Sequence, residues 1–195
     1  MPQPLREGEL YVYPTKSMAL ERPELAALIG HVCAAWTLVD REIMHAYGLV
    51  LGLHDPVTRS DFSTRAHPVA FQIFDSLYTL NPRLELLAKL VKWTLKEDEA
   101  AFMRDAIIPN LKRRYKERSE IAHGLWTVPS DPRDTTTLIR LDTFGTAFAY
   151  RKADFQAIVQ RIEDAQDQVR AFTRNALQRI QDEHRERHTK QQTAD

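Results

Sequence analysis

Apolar residues return every three or four positions along much of this chain, and the helices follow from that rhythm. From about Pro23 to Leu53 the residues Leu25, Ile29, Val32, Trp36, Val39, Ile43, Tyr47 and Val50 fall at this spacing. Such spacing collects them on one face of a long amphipathic helix. Asp55, Pro56 and Thr58 interrupt it, which predicts a loop over His54 to Ser63. The helical pattern resumes from Pro68 to Leu95, with a break or fresh start expected at Asn81-Pro82. Glu97-Asp98-Glu99 supply negative charge suited to a helix N-terminus, and a kink is expected where that helix meets Pro109. Beyond the proline, Leu111, Tyr115, Arg118 and Ala122 share a stripe. An arginine on such a stripe needs a partner.

Leu125 to Tyr150 has another character. Thr, Val, Ile and Phe are frequent, Asp131-Pro132-Arg133-Asp134 reads as a turn, and Thr137, Ile139 and Leu141 alternate with other residues. This predicts a small β-hairpin insertion. A last helix is predicted from Lys152 to Arg187, with Phe155, Ile158, Val159, Ile162, Val169, Phe172 and Ile180 on one side. The expected organisation is all-α: an extended N-terminal arm over 1–21 containing Pro2, Pro4 and Pro14, a helical domain over 22–187, and a polar tail over 188–195. Leu10 to Tyr13 is expected to dock the arm on the body.

With 27 Lys plus Arg against 27 Asp plus Glu in 195 residues, net charge exerts no general pull toward nucleic acid, so an RNA site has to be a local basic patch. The single cysteine, Cys33, leaves no internal disulfide and, without Cys/His metal spacing, no structural zinc. No metal or other cofactor is called for. No basic start leads into an apolar run and no apolar stretch reaches spanning length, so the expectation is a cytoplasmic protein without membrane contact.

Chemistry is visible in one place, the run Arg118-Ser119-Glu120-Ile121-Ala122-His123-Gly124. Gly124 is suited to the left-handed conformation that ends a helix, which would leave His123 in the last turn beside unpaired carbonyls. A permanently charged guanidinium and a histidine together suit phosphate holding and proton movement. The alternative is a helix-ending histidine and an arginine in a structural ion pair.

The R-x4-H string RSEIAH, near the end of a late helix in a helical chain, resembles the HEPN superfamily (higher eukaryotes and prokaryotes nucleotide-binding). The resemblance implies a HEPN-type bundle and a metal-independent endoribonuclease of toxin or defence type. Arg118 would hold the scissile phosphate and His123 would transfer protons. The residue after the arginine is usually Asn, Asp or His in that family and is Ser119 here. A symmetric homodimer with the motif helices lining one cleft is implied too, and Leu38, Met44 and Leu49, off the main stripe of the first helix, are candidates for its surface. An antitoxin or regulatory partner would accompany such a toxin. Some HEPN toxins extend the motif to R-x4-H-x-Y with a modified tyrosine; Leu125 stands there in this chain.

Asp40 borders the buried face of the first helix and should seek a cation. Arg118 is the expected partner, as in many HEPN proteins with an acidic residue on the first helix, and Glu42 is the second choice for that acidic role. An edge position in contact with water is the other reading. Lys112, Arg113, Arg114, Lys116 and Arg118 put five cations in seven residues, able to track RNA phosphates. They also suit a solvated helix face on which Glu117 and Glu120 pair with neighbours. His31 and His45 lack metal-ligand neighbours, and His184 with His188 has a spacing that can bind a metal ion, but Glu186 between them is misplaced for the general base of a metalloprotease, and a solvated tail is expected there. Trp36, Trp93 and Trp126 are expected to pack, Trp126 having base stacking as an alternative. The leading alternative function is a non-catalytic HEPN-like RNA-binding or protein-interaction module; an unrelated helical interaction protein is a further one.

Overall fold

A computed structural model describes residues 3–4, 18–51, 68–129, 136–141 and 146–192. The expected docking of Leu10 to Tyr13, the loop over His54 to Ser63 and the turn at Asp131 to Asp134 lie outside these residues. In chain order come β1 (Gln3–Pro4), α1 (Met18–Glu21), α2 (Pro23–Val50), α3 (Pro68–Ser76), α4 (Leu80–Thr94), α5 (Glu97–Phe102), a π-turn (Met103–Ile107), α6 (Ile108–Ala122), β2 (Leu125–Thr127), β3 (Thr137–Leu141), β4 (Ala147–Arg151) and α7 (Lys152–Gln192). The chain is mostly helical with a small antiparallel sheet. Two compact units are present: Met1–Thr37 with Arg113–Asp164, and Leu38–Lys112 with Ala165–Asp195.

The first unit is built around the sheet. Its order is β1-β4-β3-β2, every pairing antiparallel. The expected hairpin is therefore a three-stranded meander, with the N-terminal pair Gln3–Pro4 added beside β4. Pro4 fits an edge position because it lacks the N–H that a central strand requires. Thr137 through Arg140 are all buried. Successive residues of a strand point to opposite faces, so both faces of β3 are covered. Trp126, Tyr150 and Phe155 form a three-ring cluster with centroids 5.1 to 5.6 Å apart, fastening the sheet to the first turn of α7. Leu25, Val32, Ala35, Trp36, Ile158 and Ile162 extend this core.

In the second unit Val39, Ile43, Tyr47, Leu84, Leu87, Val91, Met103, Ile107 and Val169 are buried. The break between α3 and α4 falls at Leu77 to Thr79, and α4 starts afresh at Leu80, one residue before Asn81-Pro82. Pro82 sits in the first turn of α4, where no intrahelical N–H bond is required of it. Arg83 closes the junction: its Nε donates to the carbonyls of Phe74 at 3.2 Å and Leu77 at 2.6 Å, and its guanidinium lies 3.8 Å from the centroid of Phe74. The Tyr47 hydroxyl donates to the Arg83 carbonyl, and burial pushes the Tyr47 phenol up to about 12. Glu99 accepts the Lys96 backbone N–H at the start of α5, and Arg179 grips its two oxygens at 2.7 Å each.

At Pro109 the chain makes a π-turn in the preceding residues, with the Ile108 N–H donating to the Met103 carbonyl. Widening the turn accommodates a ring that would otherwise press on the carbonyl four residues earlier. Other differences are local. Met18–Glu21 of the expected extended arm is helical, and α7 continues to Gln192 through part of the expected tail. Trp93 is 84% exposed rather than packed, because it lies about 200° around α4 from buried Val91. Leu49 is buried, so the surplus apolar surface expected of α2 reduces to exposed Leu38 and half-buried Met44.

Candidate active site

The motif helix α6 ends at Ala122, and His123 extends it by one bond, its backbone N–H donating to the Ser119 carbonyl at 3.0 Å. The indole of Trp126 donates to the Ile121 carbonyl at 3.0 Å. A buried donor thus satisfies one of the carbonyls left open at a helix end. Trp126 is buried and committed to this cap and to its ring cluster, which places it with packing.

Gly124 does not take the left-handed conformation expected of it; its φ lies outside that region. What it lacks is room. A Cβ there would stand 2.8 Å from the Glu120 carbonyl oxygen and 2.8 Å from both Cγ and Cδ of Arg140. The glycine permits a close approach of β3 to the end of α6.

Arg118 is half-buried, as its place on the apolar stripe requires, and its Nε is shielded from solvent without a hydrogen-bond partner among the described residues. His123 is exposed. On a regular helix the two side chains point about 140° apart. His123 instead continues the exposed spacing of Lys112, Lys116 and half-buried Ser119, at intervals of four, three and four.

The basic run divides. Arg114 is tied to Glu117 at 2.9 Å, and Arg161 reaches the same carboxylate at 3.4 Å. Lys112, Arg113 and Lys116 are exposed and form no ion pair among the described residues. Asp40 belongs to the second unit, where it meets Arg83 Nη1 at 3.6 Å. The more deeply placed carboxylate there is Glu42, with 7% of its surface exposed. Its Oε1 accepts from Arg170 Nε at 3.1 Å and Nη2 at 3.0 Å, and its Oε2 lies 3.4 Å from His45 Nδ1. Burial opposes ionisation of Glu42, but the hydrogen bonds from His45 and Arg170 outweigh it and hold the carboxyl at about 2.

Arg140 is the residue at this site that the sequence pattern passed over. It is 91% buried by the complement of its 9% exposure, its Nη2 lies 3.5 Å from Glu120 Oε2, and its guanidinium faces the rings of Phe148 and Tyr150 at 5.1 and 5.8 Å. Burial raises the Tyr150 phenol, with Arg140 acting in the opposite direction. An arginine inside the mostly apolar run Thr137-Leu138-Ile139-Arg140-Leu141 is the signal that could have found it. Among the described residues no three His, Cys, Asp or Glu side chains converge as a metal site would require, and no helix is long and apolar enough to cross a membrane.

Comparison of the chain with protein-family models, with curated proteins and with solved structures returns no match.

Proposed function

We propose that this protein is an endoribonuclease of the HEPN type, toxin or defence-like and independent of metal, in which Arg118 and His123 act on the RNA backbone. The observation that carries this reading is the end of α6: a guanidinium whose Nε has no partner among the described residues, followed five residues later by an exposed histidine. Arg118 holds the phosphate and stabilises charge developing on it. His123 accepts the proton of the ribose 2′-hydroxyl, whose oxygen attacks phosphorus, and the 5′-oxygen leaves with a proton. Lys112, Arg113 and Lys116 offer exposed charge to the flanking phosphates. Because one histidine serves two proton transfers poorly, the active form is a homodimer that brings two copies of His123 to one cleft. An antitoxin or other regulatory partner would restrain the activity.

The angular separation of Arg118 and His123, with Arg114 engaged by Glu117, favours as second reading an RNA-binding or protein-interaction module without catalysis. Product chemistry separates the two. Purified protein incubated with total RNA in chelator should yield 2′,3′-cyclic phosphate and 5′-hydroxyl ends. RNA binding without cleavage supports the second reading, and loss of cleavage on chelation contradicts the first.

A further inference from the structure

We infer that Arg140 is a positioning residue that keeps Glu120 away from His123 and so leaves the imidazole unpaired. The idea that a free His123 matters for cleavage rests on the proposed ribonuclease reading; the arrangement itself does not.

Glu and His three residues apart are natural partners at the end of a helical turn. The chain contains this spacing twice. At Glu42 and His45 the two side chains meet, 3.4 Å apart. At Glu120 and His123 the carboxylate is turned to Arg140, with Oε2 3.5 Å from Nη2, and His123 makes no side-chain bond among the described residues.

Three features hold Arg140 where it can do this. It arises from β3, paired on both sides by β2 and β4. Its aliphatic stem crosses Gly124 so closely that a Cβ there would lie 2.8 Å from Cγ and Cδ. Its guanidinium is braced by Phe148 and Tyr150. The glycine next to the histidine and the arginine of β3 therefore form one device: the first makes space and the second draws the carboxylate away.

The test is the imidazole C–H spectrum of His123 at one fixed pH, in the full-length protein. Arg140→Gln should shift the His123 resonance as Glu120 swings toward it, and Arg140→Gln with Glu120→Gln should return it close to its wild-type position. Glu120→Gln alone should leave it nearly unchanged, because the wild-type carboxylate is already elsewhere. Arg140→Lys, which keeps the charge, should shift it less than Arg140→Gln. A large shift in Glu120→Gln alone overturns the inference, even where Arg140→Gln fails to fold. So does a folded Arg140→Gln variant with an unmoved His123 signal, or one whose shift persists in the double variant. In RNA cleavage, Arg140→Gln should lower kcat by about tenfold or more with KM little changed, and Glu120→Gln should restore it. Absence of cleavage by the wild type removes the ribonuclease reading and leaves the spectroscopic result to decide the role of Arg140.

Discussion

At Glu42 two effects compete, and the stronger sets a pH dependence. Burial disfavours the carboxylate, while His45 and Arg170 hold it ionised to about 2 against an ordinary value of 4.5. A depressed folded-state value means that the stabilisation is complete above about 4.5 and is lost as pH falls toward 2. Glu42→Gln is expected to destabilise the protein by roughly 1 to 3 kcal/mol at neutral pH, discounted because Arg170 is 43% exposed and can be rehydrated. Urea unfolding at neutral pH and at about pH 3 checks this: the difference from wild type should narrow in acid. The sequence marked Glu42 as second choice to Asp40 because helical spacing shows which face a carboxylate borders. It does not show that Arg170, 128 residues away, will be its cation. Arg83, similarly, had no mark in the pattern, yet it is the group that meets Asp40.

The helices were legible as elements because burial on one face imposes a period that survives without knowledge of the neighbours. The long stripe of α2, the acidic start of α5 and the apolar face of α7 all appear where that period placed them. Junctions were less legible. Asn81-Pro82 reads as a break or a fresh start; Pro82 stands in the first turn of α4, while the break itself lies just before, at Leu77 to Thr79, beside the Phe74 and Leu77 carbonyls that Arg83 bonds. At Gly124, steric clearance for Arg140 and the Glu120 carbonyl takes the place of the left-handed turn that the sequence suggests. Gly124→Ala is accordingly expected to destabilise by roughly 1 to 3 kcal/mol, since the carbonyl of a formed helix yields little. Thermal or urea unfolding measures it, and a change below about 0.5 kcal/mol would show that the junction relaxes freely. Arg83→Ala should lower stability by roughly 2 kcal/mol through loss of the two carbonyl bonds and the Asp40 pair. Its effect should appear as faster hydrogen exchange in α3, the helix whose end it closes.

For the molecule as a whole, the apolar period indicates a mostly helical chain without saying how it is apportioned, since neither the sheet with Gln3–Pro4 nor the two compact units follows from local periodicity. The dimer belongs to this scale. Light scattering on the purified protein should give about twice the chain mass of 22.6 kDa, and mixing Arg118→Ala with His123→Ala subunits should restore part of the activity if each cleft draws on both chains. A fully active monomer would contradict it.

The most direct measurement is the rate of RNA cleavage by wild type, Arg118→Ala and His123→Ala, purified alike and compared in chelator with their far-ultraviolet circular dichroism. His123 is exposed and Arg118, half-buried, forms no ion pair among the described residues, so the account expects little change in helicity and a loss of cleavage of about a hundredfold or more in each variant. Wild type that cleaves no RNA under varied conditions, or variants that both cleave at the wild-type rate, would contradict it.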